Sequence, residues 1–152
     1  MLMTLAKACE GIAAYDLKKL SDDRTILRRE TGEDFITPPE LGRLNLDLDD
    51  AAAVCGYADL RRAGYPVKLA GTIMSRVRTA MREYPEADQL TTVLLDNGFT
   101  FTLPSASLDL ASGFNSGRYV VAATLIDVRN VRERVQRVIE AYEPGIGVED
   151  AA

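Results

Sequence analysis

The chain contains 152 residues, of which 18 are Lys or Arg and 23 are Asp or Glu, so its net charge at pH 7 is −5. This length fits one domain, and a hydrophobic content of 47% is enough to form a core. The absence of histidine excludes serine–histidine and cysteine–histidine nucleophiles and imidazole zinc sites.

The hydrophobic pattern argues against a membrane protein or a secreted one. No apolar run approaches the roughly 20 residues that span a bilayer. Charged residues such as Lys7, Glu10 and Asp16 interrupt the first 20 residues, which is unlike the core of a signal peptide. We therefore expect a cytoplasmic protein without a membrane partner.

The side chains that catalysis needs are also missing. Cys9 and Cys55 are the only cysteines, and their apolar, alanine-rich surroundings predict buried, inert thiols. Glycine-rich phosphate-binding motifs are absent, and neighbouring carboxylates such as Asp49 and Asp50 are typical of a helix start. We expect no enzyme, no cofactor and no metal site.

Residues 1–36 are predicted to form an N-terminal helical extension. The spacing of Leu2, Leu5, Cys9 and Ile12 predicts a helix over residues 2–20. The charged residues 21–34 fit either a further helix or a mobile connector.

Capping signals predict the next three helices. The sequence Thr37-Pro38-Pro39-Glu40 is a capping box with proline at the first helical position, and it predicts a short helix over residues 38–44. Asp47 caps the following helix, which ends before Gly64. Pro66 then starts a third helix over residues 66–84, whose apolar residues recur every three and four positions. The tight Gly64-Tyr65-Pro66 connection makes the two helices meet at an angle.

The second half of the chain predicts strands and a last helix. Residues 90–95 and 99–103 are rich in β-forming side chains, and Asn97-Gly98 between them is a strong hairpin signal. Residues 104–117 fit an irregular loop, and residues 119–126 a third strand. Asp127 caps a helix over residues 127–143, which Pro144 ends before a disordered tail over residues 144–152.

Positive charge is concentrated between Asp59 and Glu83. We call residues 60–82 the basic block, because they include six basic residues and no acidic one. A local positive surface on an acidic protein suggests a face that binds a polyanion. The basic residues are Arg61, Arg62, Lys68, Arg76, Arg78 and Arg82.

The block falls within a pattern that resembles the winged helix-turn-helix superfamily. The matching residues are Leu60, Ala63, Gly64, Tyr65, Ala70 and Ile73, and the order helix, tight turn, polar-faced helix and hairpin fits over about residues 38–103. The resemblance implies an α+β fold with a winged helix-turn-helix core over residues 37–126. This core would have a three-stranded antiparallel sheet, with helices flanking it at both ends.

The resemblance further implies a sequence-specific regulator of transcription that binds double-stranded DNA. Small residues such as Gly71 would let the third helix approach base edges, while basic residues would reach phosphates or guanines. The predicted DNA contacts are Arg61, Arg62, Lys68, Thr72, Ser75, Arg76, Arg78, Thr79, Arg82 and Asn97. The alternative is a non-enzymatic adaptor or antagonist that binds another protein, because arginines opposite an apolar stripe often form a plain solvated face. The hairpin also adds no positive charge.

The last helix carries an apolar stripe that suggests a homodimer. Its spacing of three and four residues over two heptads fits a coiled-coil seam, and a dimer would present two recognition helices to a two-fold DNA site. The predicted seam comprises Val128, Val131, Val135, Val138, Ile139 and Tyr142. A helix packed on the sheet would show the same stripe.

Overall fold

The computed structural model describes residues 2–36, 46–115 and 117–151, and for residues 114, 115 and 142–151 it describes the backbone. The architecture is α+β, as predicted. The α- and π-helices are a π-helix at Lys7–Ile12, α1 at Leu17–Thr31, α2 at Leu48–Arg62, α3 at Val67–Glu83 and α4 at Val128–Ala151, and a short 3-10 helix lies at Ser105–Ser107. The strands are β1 at Leu90–Leu95, β2 at Thr100–Pro104, β3 at Phe114–Asn115 and β4 at Arg118–Ile126.

The prediction of one helix over residues 2–20 is wrong. The π-helix ends at Ile12, and Ala14 has a positive φ of 52°. Asp16 then caps α1, its carboxylate accepting a hydrogen bond from the Lys19 amide at 2.9 Å. The charged segment after residue 20 is helical as far as Thr31. The predicted helix over residues 38–44, with its capping box from Thr37 to Glu40, lies outside the described residues.

The capping and turn signals around α2 and α3 are confirmed. Asp47 and Asp50 form a reciprocal capping box at the start of α2. Gly64, with a φ of 98°, allows the chain to reverse after α2, and Pro66 immediately precedes α3. The predicted apolar face of α3 is buried in the core, with Val77 fully inaccessible.

Helix α3 lies at the centre of the fold and contacts α1, α2, β1 and β2. Gly71 belongs to its packed side, because a Cβ atom there would lie 2.5 Å from Cδ1 of Leu27 on α1. The expectation that Gly71 faces a ligand is therefore wrong. The absence of its side chain lets two helices approach each other.

The sheet has the strand order β2-β1-β4-β3 and all its pairs are antiparallel. Its three long strands are the predicted ones, and the two-residue β3 is an addition from the predicted loop. Val93 of β1 faces Phe101 of β2 on one side and Ala123 of β4 on the other. The pairing of β1 with β4 shifts register between Leu94 and Leu95, which marks a β-bulge.

Helix α4 begins after Asp127, whose side chain accepts a hydrogen bond from the Asn130 amide at 3.0 Å. It packs against α2 and the π-helix. The predicted end at Pro144 and the predicted disordered tail are wrong, because the helix continues to Ala151. Proline removes one backbone hydrogen bond and bends a helix, but it does not prevent the flanking residues from remaining helical. Within the described ranges, no helix is both long and apolar enough to cross a membrane.

The two cysteines are buried, as predicted. Desolvation is the main cause that raises the pKa of Cys9 to about 12 and that of Cys55 to about 11, from an ordinary value of 9.0. Both thiols are therefore protonated and unreactive in the folded protein at neutral pH.

Substitution of Gly71 by alanine tests the close contact between α3 and α1. The added methyl group would overlap Leu27, which is itself buried, and overpacking costs about 1–3 kcal/mol. This exceeds the roughly 1 kcal/mol that alanine gains over glycine in a helix. We expect the free energy of unfolding in urea to fall by about 1 kcal/mol. Gly11→Ala is the control, since its methyl group would meet Lys7 Cγ at 3.7 Å. Equal stability of Gly71→Ala and wild type would contradict the packing.

The cysteine pKa values predict slow labelling and a loss of stability at high pH. A thiol reagent at pH 8 should modify neither cysteine until urea unfolds the chain. Since the thiols ionise near pH 9 when unfolded and higher when folded, the free energy of unfolding should decrease as pH rises above 9. Rapid labelling of the native protein would show that the thiols are accessible.

Candidate functional site

Every basic side chain of the basic block lies within 4 Å of a carboxylate from outside the block. The nitrogen–oxygen distances are 3.0 to 3.8 Å. The pairs are Arg61–Asp23, Arg62–Asp59, Lys68–Glu30, Arg76–Glu33, Arg78–Asp50 and Arg82 with both Asp47 and Asp50. The positive charge that is concentrated in the sequence is therefore balanced in space by acids from α1, α2 and the segment that follows α1.

The most deeply placed of these pairs joins α3 to the start of α2. Asp50 is 2% exposed, and its Oδ1 atom lies 3.3 Å from Nη1 of Arg78 and 3.2 Å from Nη2 of Arg82. The same carboxylate takes part in the capping box with Asp47. Arg78 and Arg82 thus hold two helices together, a role that their position in the sequence did not indicate.

A second buried carboxylate joins α1 to α2. Asp23 accepts hydrogen bonds from the hydroxyl groups of Tyr57 at 2.7 Å and Tyr15 at 3.4 Å. Burial, followed by the hydrogen bond to Asp23, raises the pKa of Tyr57. Arg61 approaches the same carboxylate at 3.6 Å and donates to the Tyr65 carbonyl at 2.9 Å. Arg61 therefore stabilises the α2–α3 turn.

The other arginine before the turn is also held by its own chain. Arg62 donates to the carbonyl of Ala13 at 2.9 Å and to Asp59 at 3.0 Å. These bonds attach the end of α2 to the segment between the π-helix and α1. Arg62 remains about half exposed.

The polar side of α3 forms the floor of a recess, which we call the α3–β2 cleft. This cleft has a volume of about 440 Å³ and lies between α3, β2 and the turn after α1. Glu33, Asp34 and Glu83 line its sides, and Arg76 crosses it to bond Thr100 at 3.0 Å and Glu33 at 3.4 Å. A DNA duplex that approached this side of α3 would meet these three carboxylates and strand β2 before it reached the helix.

The predicted base-reading side chains do not share one open surface. Ser75 and Thr79 lie in the α3–β2 cleft, where Thr79 donates to the Ser75 carbonyl at 3.2 Å. Thr72 lies in a separate apolar cleft of about 310 Å³ with Leu69 and Leu94. Asn97 is at the hairpin tip, where its side chain accepts a hydrogen bond from the Phe99 amide.

The predicted dimer seam on α4 is buried within the chain, which corrects its assignment as a free interface. Four of its residues belong to the same core as α2 and α3, with exposures of 6% or less. Those residues are Val128, Val131, Val135 and Ile139. Val138 is half-buried, and the side chain of Tyr142 lies outside the described residues. Since α4 packs on α2 and the π-helix, the alternative of packing on the sheet is also wrong.

The most exposed apolar surface lies on β4, which the sequence did not indicate. Tyr119, Val121 and Leu125 are 60%, 61% and 52% exposed, and Ala122 and Ala123 are exposed as well. The other exposed large apolar residues among the described side chains are Leu2, Leu69, Phe99 and Leu110.

One edge of β4 is open over most of its length. The strand has nine residues, of which only Arg118 and Tyr119 pair with β3. Val120 bonds the Gly113 carbonyl at 2.8 Å, and from Val121 onward no strand of the described chain lies beside this edge. We call residues 121–126 the open edge of β4.

No known protein family, curated protein or solved structure matches the chain. The described residues contain no cluster of three or more Asp, Glu or Cys side chains that could hold a metal ion.

Replacing Asp50 by asparagine tests the buried ion pairs of the basic block. Removing one partner of a buried pair costs about 3–5 kcal/mol, whereas an exposed pair contributes about 0–1 kcal/mol. We expect Asp50→Asn to lower the free energy of unfolding by about 3 kcal/mol. Glu30→Gln, which removes the exposed partner of Lys68, is the matched control and should cost less than about 1 kcal/mol. Similar costs for both substitutions would show that Asp50 has no special structural role.

Proposed function

We propose that this chain is a non-enzymatic protein-binding module, which pairs the open edge of β4 with an extended segment of another polypeptide. The observation that carries the proposal is the combination of an unpaired strand edge and exposed apolar side chains on the same strand. A free strand edge presents unpaired amide and carbonyl groups, and adding a strand is a common mode of peptide recognition.

The composition of the open edge supports this function. No charged residue occurs between Arg118 and Asp127, and the intervening sequence is Tyr-Val-Val-Ala-Ala-Thr-Leu-Ile. Proteins usually protect exposed edges with lysine, proline or a covering loop. The opposite edge strand β2 ends at Pro104, whereas residues 119–126 contain neither lysine nor proline, and no strand among the described residues pairs with β4 beyond Val121 on this side.

The charge arrangement also favours protein binding over DNA binding. Each cation of the basic block already faces a carboxylate, so a phosphate would have to displace an acid of the same chain. Acids that line the α3–β2 cleft, such as Glu33 and Glu83, would further repel a nearby phosphate backbone.

Sequence-specific binding of double-stranded DNA by a winged helix-turn-helix core, as a homodimeric transcription regulator, is the second candidate. The sharp turn at Gly64 between α2 and the longer α3 favours it. Exposed ion pairs such as Lys68–Glu30, 3.8 Å apart, contribute only about 0–1 kcal/mol, so phosphates can compete for these cations.

Duplex binding in a salt series separates the two functions. We expect wild type to show no saturable binding of a labelled random-sequence duplex by fluorescence anisotropy at low salt, because the block is internally neutralised. Binding that weakens steeply with salt would favour the DNA function if Lys68→Ala/Arg76→Ala abolished it. The control is Lys18→Ala/Arg137→Ala, which removes two exposed charges from outside the block.

Selection from a displayed library of random peptides tests protein binding directly. We expect wild type to enrich extended apolar peptides whose binding Leu125→Lys abolishes, since lysine blocks strand addition at an edge. Leu2→Lys is the matched control, because Leu2 is 55% exposed and lies far from β4 in the sequence. Peptides that bind Leu125→Lys as tightly as wild type would place the interaction elsewhere.

A further inference from the structure

We propose that the strand which pairs with the open edge of β4 is β4 of a second copy of this chain, running antiparallel across a two-fold axis. The inference rests on the proposed function and names its partner. A dimer formed in this way would differ from the coiled-coil dimer that the stripe on α4 suggested.

The hydrogen-bond pattern of the sheet shows which groups of β4 face the open side. The Leu95 amide donates to Phe99, so the odd-numbered residues of β1 direct their backbone groups toward β2. The even-numbered residues of β1 then bond β4, and the amide of Asp96, which directly follows β1, likewise donates to the Tyr119 carbonyl at 3.0 Å. The bonded partners of β1 in this part of β4 are Ala122, Thr124 and Ile126.

Ala123 and Leu125 alternate with these bonded residues, so their amide and carbonyl groups point away from β1 toward the open side. An antiparallel second β4 can place its Leu125 opposite Ala123 and its Ala123 opposite Leu125. Thr124 then lies on the two-fold axis. In this register the outward-pointing amide and carbonyl groups of Ala123 and Leu125 form hydrogen bonds in both copies. The two-fold symmetry gives the two strands the same set of hydrogen bonds.

The side chains of the open edge are complementary to those of the same edge in a second copy. On the sheet face away from α3, each small Ala123 would lie beside a larger Leu125 of the other copy. On the face toward α3, the two Thr124 side chains would meet near the axis. In this register no charged residue of one copy lies opposite a like charge of the other. A foreign strand that contained a charged residue would instead have to place that charge beside the apolar side chains of β4.

The exposure of the β4 side chains fits an interface whose partner is absent from the single chain. Val121 and Leu125 are more than half exposed, while Ile126 at the end of the same strand is 9% exposed. The valine stripe of α4 is already covered by α2, so it cannot serve the same purpose. Pairing along β4 would join two sheets into one and remove the exposed edge.

Sedimentation equilibrium of the full chain over a concentration series tests the dimer. We expect a reversible dimer in wild type and in Leu2→Lys. Leu125→Lys should raise the dissociation constant of the dimer on the order of tenfold or more, because one substitution removes two cross-strand pairs from a two-fold interface. Circular dichroism should show that this variant keeps its fold, since Leu125 is exposed. A wild type that stays monomeric throughout the series, or a dimer that Leu125→Lys does not weaken, would overturn the inference.

Disulfide cross-linking tests the register independently of the lysine variant. Thr124→Cys should form a covalent dimer under mild oxidation, because paired residues at the axis bring their Cβ atoms within about 5.5 Å. Thr102→Cys is the matched control, a half-buried threonine on the other edge strand. Failure of Thr124→Cys to cross-link, or equal cross-linking through position 102, would contradict the proposed pairing.

If wild type is monomeric but still selects peptides at the open edge, this inference fails while the proposed function stands.

Discussion

The arrangement of the helices depends on the interactions that the buried carboxylate of Asp50 makes. It is buried at the start of α2, where it completes the cap with Asp47 and contacts Arg78 and Arg82 of α3. An isolated buried carboxylate would be strongly unfavourable, so the cations of α3 must lie beside it. This requirement fixes the orientation of α3 on α2. Gly71 then allows α1 to pack closely against α3 on another side.

That orientation determines which surfaces remain for binding. Because α3 turns its cations toward acids of α1 and α2, the basic block acts mainly within the chain. The polar side of α3 is recessed between β2 and the turn that carries Glu33 and Asp34. Helix α4 uses its valines to cover α2. The feature that remains without a partner in the described fold is the apolar edge of β4, which is why the proposed function centres on a strand rather than a helix.

Local signals in the sequence predicted the fold well where a single residue determines the backbone. Asp47 caps α2, Gly64 reverses the chain and Asn97-Gly98 closes the hairpin, since each of these effects depends on near neighbours. The apolar spacing of the first 20 residues predicts one helix, whereas the positive φ of Ala14 and the cap at Asp16 divide this segment in two. Pro144 predicts the end of α4, but the helix continues to Ala151, since proline weakens a helix without always ending it.

The candidate site could not be predicted in the same way, because it depends on contacts between distant segments. A sequence shows that residues 60–82 contain no acid, but Asp23, Glu30, Glu33 and Asp50 approach them only in the folded chain. Similarly, a stripe of valines on α4 has the same spacing whether it meets another copy or the chain's own core. The exposure of β4 follows from the strand order, which no local pattern specifies.

A double-mutant cycle between Asp50 and Arg78 tests whether the cations of the basic block are bound within the chain. The free energy of unfolding is measured in urea for wild type, Asp50→Asn, Arg78→Met and the double variant. If the cations of the basic block are bound within the chain, the two substitutions should couple by about 1–3 kcal/mol. Additive effects, with a coupling below about 0.3 kcal/mol, would show that Arg78 is energetically independent of Asp50. The arginine would then be available to an external ligand, and the basic block would not be neutralised within the chain.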